Sequence, residues 1–94
     1  MTWEVIYHHE VEDDLESVGP AMARRIVRAI DEKLTRHPLE FGAPLAGDLA
    51  DFRKLRVGDC RVVYQVSEAQ VIVFVLAVGP RRDKEIYRTA GKRS

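Results

Sequence analysis

The fold of this 94-residue chain is decided by one stretch, which runs from Arg53 to Val78. It reads Arg53-Lys-Leu-Arg-Val-Gly-Asp-Cys-Arg-Val-Val-Tyr-Gln-Val66, then Ser67-Glu-Ala-Gln70, then Val71-Ile-Val-Phe-Val-Leu-Ala-Val78. Three apolar runs rich in β-branched and aromatic residues are separated by two breaks of turn-forming residues, which is the pattern of a three-strand meander. The last run contains no polar residue, so it predicts a central strand that is covered on both faces.

Cations occupy alternate positions in the first two predicted strands. Side chains change face at every residue of a strand, so Lys54 and Arg56 point away from a core that contains Leu55. Arg61 of the next strand joins this outward set, and two more cations follow the third run, Arg81 and Arg82. Five cations at one end of a small sheet repel one another unless an anion lies between them. Solvated surface charge is the equally weighted alternative.

Charge is distributed unevenly although the formal net charge is zero. The chain through Asp51 carries 11 Asp and Glu residues against 5 Lys and Arg, whereas the chain from Phe52 onward carries 4 against 10. An asymmetry of this size indicates an anionic partner for the second half, and nucleic acid is the first candidate.

Length and composition predict one cytoplasmic domain, residues 1–94. The single cysteine, Cys60, excludes an internal disulfide and suits a reducing compartment. No apolar run is long enough to span a membrane, and the first residues do not resemble a signal peptide. His8 and His9 would point to opposite faces of a strand without a Cys or third His nearby, so we expect no metal site.

The N-terminal half predicts one strand and two helices. Residues Trp3–Tyr7 alternate as a strand does, and Val11–Val18 has apolar residues at helical spacing. Apolar residues repeat every four positions over Met22–Leu34, and this second helix is expected to end just before Pro38. Residues 39–50 contain glycine and proline and predict a loop that leads into the hairpin.

These elements predict an α+β fold. A small antiparallel or mixed sheet, built from the N-terminal strand plus the three-strand meander, has two helices packed on one face. The cations then lie on its exposed face. The segment around Ile86 and Tyr87 is expected to form a short C-terminal helix or an ordered extension that is only weakly held.

The hairpin residues Lys54-Leu55-Arg56 and Arg61–Val66, the run Val73–Gly79, and Arg81 with Tyr87 together resemble the RelE/ParE superfamily of bacterial toxins. The order of elements is also similar, so the resemblance covers nearly the whole chain. A tyrosine six residues after Arg81 is more like the RelE branch, whose members are ribosome-dependent mRNA endonucleases. ParE-like members poison DNA gyrase and generally lack that set.

The RelE resemblance implies cleavage of message in the ribosomal decoding site without metal or cofactor, by attack of a ribose 2′-hydroxyl on the adjacent phosphate. It implies four catalytic residues, Lys54, Arg61, Arg81 and Tyr87. It implies three RNA-binding residues, Arg53, Arg56 and Arg82. Lys54 would act as base or stabilise charge, and Tyr87 would stack on a base or assist proton transfer. Arg61 and Arg81 would stabilise the charged transition state, and Arg81 would protonate the leaving oxygen.

Phe52 departs from the family pattern, because better-studied members carry a lysine at this position. The identity of the general base therefore stays open. Packing is the favoured interpretation of Phe52, and stacking on a nucleotide is the other.

Two other functions remain open beside the endonuclease: gyrase inhibition without chemistry, and a weakly active toxin that retains antitoxin binding. Each implies a cognate antitoxin in a hetero-oligomer. The endonuclease adds messenger and ribosomal RNA as partners. An amphipathic, acidic antitoxin segment is expected along the groove between sheet and helix, where it would displace the Tyr87 segment.

Overall fold

The computed structural model describes residues 2–94, so Met1 of the predicted domain lies outside them. Within these residues five strands form the sheet: β1 (Glu4–Tyr7), β2 (Ala43–Pro44), β3 (Arg53–Val57), β4 (Cys60–Ser67) and β5 (Ile72–Pro80). The α-helices are α1 (Val11–Val18), α2 (Pro20–Ala29) and α3 (Glu85–Arg93). None of these described helices has the length and apolar character that crossing a membrane requires.

The strands follow the spatial order β1-β5-β4-β3-β2. The pairs β3–β4 and β4–β5 are antiparallel, whereas β1 runs parallel to β5, so the predicted α+β fold with a mixed sheet and meander is confirmed. β5 is an inner strand, buried on one face by Val73 and Val75 and on the other by Leu76 and Ala77. It starts one residue later than predicted because Val71 has φ 57° and belongs to the preceding turn.

Helices α1 and α2 pack on one face of the sheet, and we call this the α1/α2 face. Gly19, with φ 93°, separates the helices, and Pro20 then occupies the first turn of α2, where its missing N–H costs nothing. The helical pattern continues as predicted through Leu34, but Ile30–Leu34 forms a wider π turn rather than a continuous α-helix. The apolar stripe still reaches the core, where Ile26, Ile30 and Leu34 are fully buried.

Helix α3 packs on the opposite face, which we call the α3 face. Ile86 and Ala90 of α3 are buried in a second apolar cluster with Phe52, Val63, Leu76 and Ala77. The predicted exposed face is therefore partly covered, and the C-terminal segment is docked rather than weakly held. Phe52 is 7 % exposed, which confirms that it is a packed side chain.

The loop predicted at residues 39–50 contains short structured pieces. Ala43 and Pro44 form β2 beside β3, and Gly47–Leu49 forms a single 3₁₀ turn. The loop closes over the buried Tyr64 hydroxyl, which lies 2.8 Å from the carbonyl oxygens of both Pro38 and Phe41. These carbonyls supply the partners that a buried hydroxyl needs, and they fix the route of the chain into β3.

Candidate active site

Three of the predicted site residues lie together on the α3 face because of the β3–β4 register. Arg56 is directly opposite Arg61, and Lys54 is opposite the buried Val63. Side chains opposite each other on one face have Cβ atoms about 5 Å apart, and Lys54 lies about 7 Å along the strand from Arg56. The sequence periodicity therefore places these cations on the face that α3 partly covers.

Arg81 enters the same region from the end of β5. Its backbone N–H donates to the carbonyl oxygen of Asp59 over 2.6 Å, which fixes the residue beside the β3–β4 turn. Arg61 pairs with Gly79, two residues before Arg81, so the two arginines start from neighbouring positions at one end of the sheet. Arg81 and Arg82 are both exposed.

Tyr87 lies in α3, on the same face of the sheet as Lys54, Arg56 and Arg61. Its side chain is half-buried against the cluster that contains Phe52 and Val63. The preceding Ile86 lies directly over Gly79, because a Cβ built on that glycine would be 3.3 Å from the Ile86 Cδ1 atom. Helix α3 thus begins above Gly79, the residue of β5 that pairs with Arg61, and Tyr87 lies in the first turn of the helix. We call Lys54, Arg56, Arg61, Arg81 and Arg82 the cation cluster.

Across residues 2–94, no member of the cation cluster forms an ion pair with a carboxylate, although Asp59 lines the same surface pocket as Arg81 and Arg82. The Arg61 guanidinium donates only to a backbone oxygen, that of Cys60, at 3.3 Å. Unpaired guanidinium groups attract an anion that can accept several hydrogen bonds, such as a phosphate, and in this cluster Arg61 is half-buried while the other arginines are exposed.

Arg53 lies apart from the cation cluster. As the neighbour of Lys54 in β3 it points to the α1/α2 face, where its Nη2 atom donates to the carbonyl oxygens of Leu39 at 3.0 Å and Gly42 at 3.4 Å. Its Nε atom lies 3.4 Å from the Tyr64 hydroxyl. The structure thus gives Arg53 a role in holding the loop and does not bring it to the other predicted RNA-binding residues.

Cys60 next to Arg61 is a packed core residue. Burial raises the pKa of its thiol, and the nearby Asp59 carboxylate raises it further, against smaller opposing effects of Arg25 and Arg61. A thiol that resists ionisation is a poor nucleophile.

His8, His9 and Glu10 bring possible metal-ligating atoms within 4.8 Å of one another, a grouping that the sequence pattern does not predict because β1 ends at Tyr7 and these residues follow it into a turn. The His8 Nδ1 atom already accepts the Glu10 N–H at 3.1 Å. The Glu10 Oε2 atom lies 3.3 Å from the Nε atom of Arg93. Two of the three groups are thus already engaged.

A partly buried ion pair, which the sequence does not predict, joins α1 and α3. The Arg93 guanidinium donates to both carboxylate oxygens of Asp14, at 2.7 and 3.2 Å, and to the Leu76 carbonyl oxygen at 2.9 Å. This bonding raises the pKa of Arg93 above its usual value, so the residue stays charged. The partners are far apart in sequence and carry no local signal of pairing.

Comparison with known proteins agrees with this geometry. Residues 5–85 match the family described as "ParE toxin of type II toxin-antitoxin system, parDE". The chain belongs to this toxin family. It is the toxin component of a type II toxin–antitoxin system, and the resemblance to the RelE/ParE superfamily is confirmed.

Its relatives include RelE-type toxins. Toxin RelG of Mycobacterium tuberculosis is 31% identical over 88 residues, which cover 94% of this chain and 99% of RelG. The mRNA interferase toxin RelE of Escherichia coli is 50% identical over 40 residues, which cover 43% of this chain and 42% of that protein.

Solved structures share the fold. The toxin–antitoxin complex RelBE2 from Mycobacterium tuberculosis superposes with a TM-score of 0.81 at 28% identity, over 88% of this chain and 95% of that one. A free E. coli RelE carrying two arginine-to-alanine substitutions gives 0.78 at 26% identity, over 99% and 98% of the two chains.

Proposed function

We propose that this toxin is an endoribonuclease that cleaves messenger RNA in the decoding site of the cytoplasmic ribosome. The observation that carries the proposal is the cation cluster, whose members form no ion pair within residues 2–94 and whose Lys54, Arg56 and Arg61 share the α3 face with Tyr87. A phosphate in the RNA backbone supplies the missing negative charge. The mRNA interferase relative supports the choice of RNA as substrate.

The reaction needs no group beyond the substrate and these side chains. The 2′-oxygen bonds to the adjacent phosphorus as the bond from phosphorus to the 5′-oxygen breaks, leaving a 2′,3′-cyclic phosphate and a 5′-hydroxyl. A base takes the proton of the 2′-hydroxyl, and an acid gives a proton to the 5′-oxygen. Negative charge grows on the phosphoryl oxygens, where Arg61 and Arg81 stabilise the transition state more than the ground state.

The remaining roles follow from position. Phe52 is packed beneath α3, so the base comes from another residue. Lys54 and Tyr87 approach from the sheet and from the helix respectively, and we assign them to proton transfer and to orientation of the 2′-hydroxyl. Arg56 and Arg82 lie at the exposed border of the cluster and hold flanking phosphates.

The antitoxin is the second proposed partner. Several solved relatives are complexes of toxin and antitoxin, including the archaeal RelE–RelB complex from Pyrococcus horikoshii. An apolar groove on the α3 face, lined by Ile6, Phe74 and Leu76, lies between the free edge of the sheet and α3. An amphipathic antitoxin segment that fills this groove and carries acidic side chains toward the cation cluster would block the site.

The decisive experiment compares purified toxin on ribosome-bound message and on the same naked RNA. We expect cleavage on ribosomes only, because the ribosome supplies the orientation that a small site lacks. A 2′-deoxy nucleotide at the scissile position should abolish the cut, since it removes the nucleophile. Cleavage that survives the 2′-deoxy substitution would refute the proposed chemistry.

Inhibition of DNA gyrase is the second candidate, because the matching family is described as ParE. A supercoiling assay with the same preparation separates the two functions. Gyrase inhibition without message cleavage would establish the ParE-like function. Antitoxin binding with neither activity would identify a toxin that has lost its target.

A further inference from the structure

Helix α3 is held at its C-terminal end by the partly buried bridge between Arg93 and Asp14. The guanidinium meets both carboxylate oxygens in a forked arrangement, which is stronger and more directional than a single contact. The same guanidinium binds the Leu76 carbonyl oxygen of β5. The two side chains are only 12 and 18 % exposed, so solvent screens the bridge weakly.

Asp14 joins three elements at once. Besides Arg93 of α3, its Oδ2 atom accepts the backbone N–H of Val78 in β5 at 3.0 Å. That N–H lies past the end of the β1–β5 pairing, where β1 no longer offers a backbone partner. A carboxylate on α1, on one side of the sheet, thereby holds the helix on the other side.

Helix α3 depends on such anchors. It has nine residues, and a helix of this length is marginal in water without tertiary contacts. Residues Ile86, Ala90 and Arg93 recur at helical spacing along the side that meets the sheet. Ile86 and Ala90 anchor the first turns by apolar packing, and Arg93 anchors the last turn. Tyr87 adjoins this anchored side.

We propose that Asp14 and Arg93 are positioning residues for RNA cleavage, which act by holding α3 so that Tyr87 stays packed on the α3 face, where β3 and β4 present Lys54 and Arg61. This inference rests on the proposed endonuclease function and extends it to two residues outside the cation cluster. Neither residue touches the substrate. Without the bridge, the last turn of α3 leaves the sheet, and the first turn, with Tyr87, is held by Ile86 and Ala90 alone.

The test uses Arg93→Met and Asp14→Asn, with Arg88→Met as the matched control. Arg88 lies on the same helix and loses the same charge, but it is 72 % exposed and pairs only with Glu85 at 3.6 Å. Hydrogen exchange should show faster exchange of α3 amides in the two bridge variants and unchanged exchange in the control. Unchanged α3 protection in Arg93→Met and Asp14→Asn would overturn the inference, whatever the enzyme assay gives.

Single-turnover cleavage on ribosomes then tests the link to Tyr87. Misplacing a catalytic group by about 1 Å costs up to about 100-fold in rate, so Arg93→Met should lower the rate at saturating ribosome by about 10- to 100-fold. The half-saturating ribosome concentration should stay unchanged, because the cation cluster is intact. Arg93→Lys should recover only part of the rate, since lysine keeps the charge without the fork.

A double-mutant cycle separates positioning from general loss of structure. If Arg93 acts through Tyr87, Arg93→Met should have almost no further effect in a Tyr87→Ala background. An equal fall in both backgrounds would overturn the inference and leave the proposed function standing. A loosened α3 with an undiminished rate would do the same. Wild-type toxin that does not cleave message on ribosomes would overturn the proposed function, and this inference with it.

Discussion

The two faces of the sheet differ in the size of their apolar clusters and in the charge that they carry. The α1/α2 face holds the larger apolar cluster, which includes Val62, Tyr64 and Val75 from the sheet and Ile26 and Ile30 from the helix region. The α3 face holds a smaller cluster around Phe52, and it leaves room beside that cluster for unpaired cations. Both faces are made by the same strands, since successive residues of β3 and β4 alternate between them.

From this difference we infer that packing on the α1/α2 face offsets the repulsion within the cation cluster. Cations that repel one another destabilise the element that carries them. Here β3 and β4 are held by the larger core on the opposite face, so the cost is met by packing that does not involve the site. Changes on the α1/α2 face should therefore affect stability, and changes among the exposed cations should affect activity.

The largest expected change is in the free energy of unfolding of Ile26→Ala. Ile26 is fully buried, and truncating a buried isoleucine removes apolar contacts and leaves a cavity, at a cost of about 2–5 kcal/mol. Urea unfolding measures the change. The control is Arg28→Ala on the exposed side of the same helix, which should stay within about 0.5 kcal/mol of the parent. Equal losses of unfolding free energy in the two variants would contradict the conclusion that stability comes from the side chains buried on the α1/α2 face.

Replacing Arg61 or Arg81 with Ala should lower the cleavage rate and leave the free energy of unfolding almost unchanged. Loss of one preorganised donor lowers the rate about 100-fold or more, or about 2.7 kcal/mol of transition-state stabilisation. Single-turnover cleavage on ribosomes gives the rate, and urea unfolding should show little change. The exposed Arg24→Ala on α2 serves as the charge-matched control. Full cleavage by the double variant Arg61→Ala with Arg81→Ala would end the endonuclease proposal.

Tyr64→Phe tests a smaller contribution of the α1/α2 face. The variant leaves the buried Pro38 carbonyl and the partly buried Phe41 carbonyl without their hydroxyl partner, so the free energy of unfolding at pH 7 should fall by about 1–3 kcal/mol. Arg53 loses a contact as well, and the loop should exchange faster.

The difference in unfolding free energy between the parent and Tyr64→Phe should depend on pH through the ionisation of the Tyr64 hydroxyl. Burial raises the folded-state pKa of Tyr64, against a smaller lowering by Arg53. The neutral hydroxyl therefore stabilises the fold below the unfolded pKa of about 10, and this stability is lost as pH rises through the folded pKa. The difference between parent and Tyr64→Phe should narrow above pH 10. Tyr7, whose pKa is raised to about 12 by burial and by Asp31, titrates equally in both proteins. A stability difference that widens above pH 10 would contradict the raised pKa of Tyr64.

The smallest expected change is that of Gly79→Ala. The new Cβ atom would meet the Ile86 Cδ1 atom at 3.3 Å, and the flexible end of that side chain yields at a cost of about 1 kcal/mol. Because Ile86 precedes Tyr87, cleavage should fall although stability changes little. Thr89→Ala, further along α3, is the control. Unchanged cleavage would show that the contact of Ile86 with Gly79 does not determine the position of Tyr87.

Alternation carried most of what the sequence predicted. It identified the shared face of Lys54, Arg56 and Arg61, because the side-chain period in a strand is fixed, whereas the apolar runs and the breaks between them identified the meander. It also implied the separate direction of Arg53, although resemblance alone grouped that residue with the RNA-binding set. Local patterns did not predict the docking of α3, since Ile86 and Ala90 find their partners only in the assembled sheet. The Arg93–Asp14 bridge was beyond prediction for the same reason.

The parallel pairing of β1 with β5 sets the order in which the molecule is completed. Glu4 pairs with Ile72, so the first strand to be synthesised must wait for the last before it gains a neighbour. Helices α1 and α2 and the β3–β4 hairpin make local contacts and form early, whereas closing this long loop is slow. Helix α3 needs β5 beneath it, so we expect Tyr87 to be placed in the final steps of folding. The groove proposed for the antitoxin is completed in the same steps, because it too is formed by β1, β5 and α3.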